Sequence, residues 1–268
     1  MNYTYKNIWL INFPVMMSIL IEQLINITDA IFLGHVGEIE LGASALAGIW
    51  YLAIYMLGFG FSLGLQVVIA RRNGEQHYSE TGKTFFQGLF FLSGLAVFLC
   101  LLSKLFSPII LSRLITSAEV YHAVIDYLDG RIWGLLFSFP FLALRSFLVG
   151  ITRTKALNMA ALAAVFVNIP GNWLLIFHWD MGIAGAAIAS SFSEACSLAV
   201  LAIHVLRKMD KRLYGLSWSF DKGVLLHVCR VSVWSMFHSF ISVAPWFLFF
   251  VAIEHLGELQ LAVANILR

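Results

Sequence analysis

From near Ile8 to the end of the chain, apolar runs long enough to cross a bilayer follow one another with only short polar breaks. A helix needs about 20 mostly apolar residues to span hydrocarbon. The membrane interior offers no hydrogen bonds, so a spanning segment must satisfy its backbone internally, as a helix or within a closed barrel. These runs are continuous rather than alternating with period two, which selects helices. Composition agrees, with 60% hydrophobic and 12% charged residues, where soluble domains carry roughly 25% charge. The mean hydropathy is +0.85. The first run lacks a small-residue cleavage motif and contains acidic and amide residues, so it reads as a retained span and not a signal peptide. The chain is an all-α polytopic membrane protein with no separate soluble domain.

The pattern predicts spans at 8–33, 41–70, 84–106, 126–150, 158–179, 182–206 and 231–254, with an eighth beginning at 258. Breaks such as Arg71-Arg72-Asn73-Gly74-Glu75, Thr152-Arg153-Thr154-Lys155 and Asp180-Met181-Gly182 carry loop punctuation. The longer stretch 107–125 is expected to hold a helix lying at the membrane interface.

A second pattern refines this. His35-Val36-Gly37-Glu38-Ile39-Glu40-Leu41 returns 220 positions later as His255-Leu256-Gly257-Glu258-Leu259-Gln260-Leu261, with four of the seven residues identical. Six spans separate the copies. An even number gives both copies the same orientation, so they are parallel repeats about an axis along the membrane normal. The predicted organisation is a six-helix transmembrane lobe at 1–206, a linker at 207–222, and at 223–268 the first one and a half spans of a second lobe. Two full copies of such a unit imply a protein of about 440 residues.

Basic residues set the orientation. The amino terminus and the loops after spans two, four and six hold Lys6, Arg71, Arg72, Lys83, Arg153, Lys155, Arg207, Lys208, Lys211, Arg212 and Lys222. The opposite side holds only Lys104 and Arg113. This places the amino terminus and the linker in the cytoplasm, and the linker's charges read as a solvated topology signal.

Ionisable groups at bilayer depth are costly and mark candidate sites. Glu22, Asn26 and Asp29 fall within about 60° on one face of span one, a polar stripe directed into the lobe with Gln23 beside it. Hydration of Asp29 near the outer surface and a helix-to-helix bond from Glu22 are the structural readings. Asn168 and Asn172 share a face of span five, with Pro170 between them removing a backbone donor and freeing a carbonyl. Two amide oxygens, a free carbonyl and an aspartate suit a hard monovalent cation or a proton relay; interhelical bonding by Asn is the competing reading. Glu194 lies in span six beyond the small-residue run Gly185 to Ser191 and is a candidate pathway carboxylate, while the run itself reads as close helix packing. Arg145 is expected to snorkel toward the cytoplasm, and Asp126 and Asp129 to be hydrated near Arg131.

Other classes are excluded or unsupported. A net charge of +2 does not suggest nucleic-acid binding. Cys100, Cys196 and Cys229 are scattered in apolar segments and support neither disulfides nor a structural metal site. No metalloprotease, dinucleotide or P-loop pattern accompanies the eight His and eight Trp. No nucleophile–base constellation suggests an enzyme.

Several motifs together resemble the multidrug and toxic compound extrusion (MATE) family of secondary transporters. They are Phe13-Pro14, Thr28-Asp29-Ala30-Ile31-Phe32-Leu33-Gly34, Val36-Gly37 with Leu41-Gly42-Ala43, Arg145-Ser146-Phe147-Leu148-Val149-Gly150, Asn168-Ile169-Pro170-Gly171-Asn172 and Gly182 to Ala189. The resemblance covers the chain in order. It implies twelve spans in two lobes that rock around a central cavity, in a bacterial inner membrane. It also implies monomeric export of organic cations driven by inward Na⁺ or H⁺, without a further cofactor. Asp29 matches the family's first-span aspartate, Asn168 and Asn172 its fifth-span polar pair, and Pro14 its bending proline; Pro170 would be a second hinge. Some members carry an aspartate at the place of Asn172, and both coupling ions stay open. Some carry an acidic residue in span seven, where 231–253 has none. A flippase of lipid-linked oligosaccharides is the runner-up, though it calls for a more cationic cavity. A truncated lobe without transport activity is the third reading.

Overall fold

A computed structural model describes residues 5–267. Residues 1–4 and Arg268, which the expected lobe limits include, lie outside the described residues, as do the side chains of Lys6, Asn7, Ile8 and Ile11. The described chain runs through α1 (Tyr5–Val36), α2 (Glu38–Gly74), α3 (Tyr78–Leu114), α4 (Ala118–Arg131), α5 (Leu135–Gly150), α6 (Lys155–Asn172), α7 (Gly182–Lys208), α8 (Lys222–Glu254) and α9 (Glu258–Leu267). A 3₁₀ turn, Ile132–Gly134, joins α4 to α5, and a π-helical segment, Trp173–His178, extends α6. Counting α4 with α5 and α6 with its π extension, seven helical segments among the described residues are long and apolar enough to cross a membrane. The helices begin and end close to the predicted spans.

One expectation is overturned. No interfacial helix occupies 107–125: α3 continues through Pro108 to Leu114, and α4 starts at Ala118. Only three residues turn the chain between them. Their backbone N–H groups need acceptors, and these come from the far end of the chain. The Glu254 carboxylate accepts from Thr116 N at 3.0 Å and Ser117 N at 2.9 Å. Ser117 in turn caps α4 by accepting from Val120 N and donates to Glu258 at 2.6 Å.

Two apolar clusters stack along the lobe. One is centred on Phe61, Leu65, Phe85, Phe139 and Phe147; the other joins Leu33, Leu46, Ile49, Val124, Phe250 and Leu261. The expected linker is shorter and more ordered than a solvated tether. Arg207 and Lys208 belong to α7 and Lys222 to α8, leaving 209–221 irregular. Tyr214 is buried with its ring 6.0 Å from Tyr78 and 5.8 Å from Phe147. The fully buried Gln87 donates to Ser219 O at 2.6 Å and accepts from Asp221 N at 3.1 Å. The linker thereby closes the end of the bundle.

The repeated motif builds the same corner twice. His35 Nδ1 lies 2.7 Å from the Ile31 carbonyl and His255 Nδ1 2.8 Å from that of Val251. Each motif glycine then accepts from the leucine four residues on, Leu41 or Leu261. The copies also touch: Asn265 Nδ2 donates to Leu41 O at 2.7 Å. Along the rest of its length α2 packs on α8, closely enough to require glycine. A Cβ on Gly60 would stand 2.5 Å from Met236 Cα, and one on Gly64 2.7 Å from Ser232 Cα. The spacing Gly60-x-x-x-Gly64 is the small-residue stripe that lets two membrane helices approach.

Replacing Gly60 with Val therefore forces α8 away from α2. Overpacking of this kind costs about 1–3 kcal/mol, so the thermal unfolding midpoint in detergent should fall by several degrees. Gly94→Ala, which meets nothing within 4 Å, should leave that midpoint unchanged or raise it.

Candidate functional site

Asp29 sits on the last third of α1 and inserts between α6 and α7. Its Oδ1 accepts from Asn172 Nδ2 at 2.5 Å and its Oδ2 from Ser190 Oγ at 2.8 Å. Asn172 Nδ2 also reaches Asn168 Oδ1 at 3.1 Å, and Asn168 Nδ2 reaches Ser190 Oγ at 3.3 Å. Both asparagines have no solvent exposure. Side chains from three helices, carrying five oxygens, thus share one hydrogen-bonded network. One of them, Asn172 Oδ1, is buried without a hydrogen-bond partner. An orphaned buried acceptor in native packing calls for an explanation, and a cation or a water is the partner its chemistry accepts.

Local sequence creates this geometry. Pro170 has no N–H, so the Phe166 carbonyl loses its helical donor. Just beyond Asn172 the helix widens into the π segment, with Trp179 N bonded to Leu174 O and Met181 N to Leu175 O. π turns inside membrane helices are rare and favour functional positions. Asp180 and Gly182 then adopt positive φ, 52° each, to reverse the chain. Gly185 allows α7 to return against this widened turn, since a Cβ there would be 2.9 Å from the Leu175 carbonyl. The small-residue run packs closely, as its composition implies. It also delivers Ser190 to the Asp29 carboxylate.

Ser190 was not distinguished by sequence from its small neighbours. A helical projection aligned on Asn168 and Asn172 offers no register between separate helices, so no signal could have found it.

The other polar residues form different groups. Glu22 and Asn26 are exposed, and Asn26 Nδ2 bonds only to Gln23 Oε1, at 2.7 Å. The stripe on α1 therefore does not share one set of hydrogen-bond partners. Asp29 alone gains partners on α6 and α7, because the amide and hydroxyl donors sit only at that depth. Arg145 does not snorkel; it is half-buried with its guanidinium 5.7 Å from the Phe59 ring centre, within electrostatic reach of Glu22. Pro14 lies inside the unbroken α1.

Glu194 belongs to a second, partly buried cluster. It pairs with Arg131 at 2.6 Å and accepts from Tyr51 OH at 3.1 and 3.2 Å. The guanidinium also lies 3.9 Å from the Tyr51 ring centre. Arg131 is thus bound to Glu194 and not to the neighbouring aspartates. Asp126 is exposed, and Asp129 pairs with Lys104 at 2.6 Å. The 3₁₀ turn after Arg131 makes room for the pair, since a Cβ on Gly134 would intrude within 2.4 Å of Glu194 Oε2 and 2.6 Å of Arg131 Nη1. A buried charge keeps its place only with its partner.

Against known proteins, the MatE family profile matches residues 14–174, more than half of the chain. The chain belongs to the MATE family. The Shewanella oneidensis protein named probable multidrug resistance protein NorM is 26% identical over 72% of this chain and 42% of its own length. The Vibrio cholerae multidrug resistance protein NorM is 25% identical over 75% of this chain and 44% of its own. The chain spans about half the length of these curated relatives. Among solved structures, an inward-facing MATE family multidrug transporter superposes with a TM-score of 0.83, at 21% identity over 91% of this chain and 56% of that one. A eukaryotic MATE transporter gives 0.84, at 18% identity over 97% and 59%. The all-α membrane architecture of this MATE chain is that of both.

Removing one member of the partly buried Arg131–Glu194 pair leaves a charged group without its partner, at a cost of about 1–3 kcal/mol. Glu194→Ala is expected to lower thermal stability well beyond Asp129→Ala, whose carboxylate is exposed. Equal losses in the two variants would show that the pair contributes no more than a surface contact.

Proposed function

We propose that this MATE chain forms the ion-coupling lobe of an efflux transporter that exchanges external Na⁺ or H⁺ for organic cations. The observation that carries the reading is the group of oxygens around Asp29 and the unpartnered Asn172 Oδ1 within it. Carboxylate and amide oxygens are the ligands that hard cations take. Asp29, Asn168, Asn172 and Ser190 would hold Na⁺ directly, with Asp29 supplying the charge. Turning the Asn172 amide would exchange its donor for its oxygen, so a small rotation converts a hydrogen-bonded site into a liganding one. A proton would instead reside on Asp29 and turn one of its oxygens from acceptor to donor. Glu22, Asn26 and Glu194 would line the route of ion or substrate.

Coupling follows from position. Asp29 ties α1 to α6 and α7 through two hydrogen bonds. An ion that replaces them changes how α1 seats against its neighbours, and Pro14 and Pro170 are where the two helices would yield. An ion shifts a two-state equilibrium only by its difference in affinity for the states, so the site must be more complete in one than in the other. The reading also places the amino terminus in the cytoplasm of a bacterial cell. The transporter would act as a monomer, with no cofactor beyond the coupling ion.

The test is efflux of a fluorescent organic cation from vesicles containing the full-length protein, with Na⁺ and pH gradients imposed separately. Asp29→Asn should abolish gradient-driven efflux, and undiminished transport by that variant would overturn the assignment. Ser190→Ala removes one hydrogen bond of about 0.5–1.5 kcal/mol net. Half-maximal efflux should then need roughly two- to tenfold more of the driving ion.

A further inference from the structure

At the end of the lobe that carries the linker, the chain encloses an open cavity of about 580 Å³. Arg153 reaches it from the α5–α6 loop, Lys155 from the start of α6, and His204 and Lys208, one turn apart, from the end of α7. Among the described residues no acidic side chain lines it and none of these four groups forms an ion pair. The first residues of α6 also border the cavity, adding the positive end of that helix, where anions are favoured. Leu10 of α1, largely exposed, and Met209 form an apolar edge.

The loop conformation points the same way. Thr152 takes φ +61°, a left-handed position that glycine adopts most easily and a β-branched residue resists. The turn is locked by Thr152 N to Val149 O and Arg153 N to Leu148 O, a helix-ending arrangement that ordinarily carries glycine. At this position the chain instead has a hydroxyl that lines the cavity.

We propose that this cavity is a binding site for a phosphate group, supplied by the headgroup of an anionic phospholipid. Unpaired cations and a helix amino terminus recognise the phosphate, and the apolar edge at Leu10 receives the start of an acyl chain. Basic pockets between membrane helices on the cytoplasmic side suit such headgroups. The proposal rests on the cytoplasmic placement of this end and not on ion-coupled efflux. It is read out by binding, so its failure leaves the transport reading intact.

The test places the full chain in nanodiscs of phosphatidylcholine with or without phosphatidylglycerol. Retained lipids are counted by native mass spectrometry, and acetylation of Lys155 and Lys208 is followed in parallel. Phosphatidylglycerol should be retained and should shield both lysines. One cation near a lipid surface contributes about 1 kcal/mol, so R153Q and K208Q should each weaken retention roughly fivefold. R153K should keep most of it, and K211Q, outside the cavity, all of it; circular dichroism confirms that each variant folds. Retention by the R153Q/K208Q double variant equal to that of the parent chain overturns the proposal, as does equal shielding by phosphatidylcholine alone. In phosphatidylcholine discs, full shielding by inorganic phosphate overturns the lipid as its source.

Discussion

Hydrocarbon offers no hydrogen bonds, so a carboxylate drawn in among these helices needs donors from other segments of the chain. Asp29 draws its two donors from α6 and α7. Glu194 draws its partners from the α4 end and from α2. Glu254, at the end of α8, takes backbone donors from the turn between α3 and α4. These three carboxylates join segments distant in sequence, and together they determine which helices are neighbours. Apolar packing between membrane helices is weakly directional, because lipid chains are as apolar as leucine. Polar satisfaction supplies the direction.

The two intramembrane acids solve the same problem differently. Glu194 is met by a full opposite charge and an aromatic face, which leaves it occupied. Asp29 is met only by neutral donors, and one oxygen beside it has no partner. A carboxylate with neutral partners still attracts a cation, whereas one already paired with arginine does not. That contrast separates a structural cluster from a candidate ion site more sharply than depth in the membrane does. Both sites depend on departures from regular helix: a π turn and Pro170 beside Asp29, and a 3₁₀ turn with Gly134 beside Glu194. Irregular backbone at membrane depth is tolerated where it is buried in protein, and here it sets the positions of polar side chains.

The repeat carries the same lesson at larger scale. His35-to-Leu41 and His255-to-Leu261 build matching corners, and those corners meet through Asn265 and Leu41. At the equivalent offset the first copy has Glu22, Asn26 and Asp29 where the second has Ser242, Trp246 and Phe249. Trp246 and Phe249 are half-exposed and pack edge to face. Scaffold is shared between the copies, while the polar stripe of Glu22, Asn26 and Asp29 occurs in the first-copy span and not at the matching positions of α8.

The spans, their order and the MATE resemblance were legible in the sequence because length and hydropathy are local properties. So was the pairing of Asn168 with Asn172, since four residues is one helical turn. Contacts between helices were not legible. Ser190 looked like its small neighbours, nothing marked Arg131 as the partner of Glu194, and 107–125 looked long enough for an interfacial helix. Each was decided by a residue far away in sequence: Asp29 for Ser190, Glu194 for Arg131, and Glu254 for the turn before α4. Hydrophobic periodicity reports which face of a helix is apolar, but not which polar group on another helix will stand opposite it. The sequence alone determined that this is a bundle of membrane helices, because backbone in lipid has few alternatives. Only the tertiary structure decided which carboxylate is neutralised by charge and which is left open to an ion, because that depends on donors brought together from separate helices.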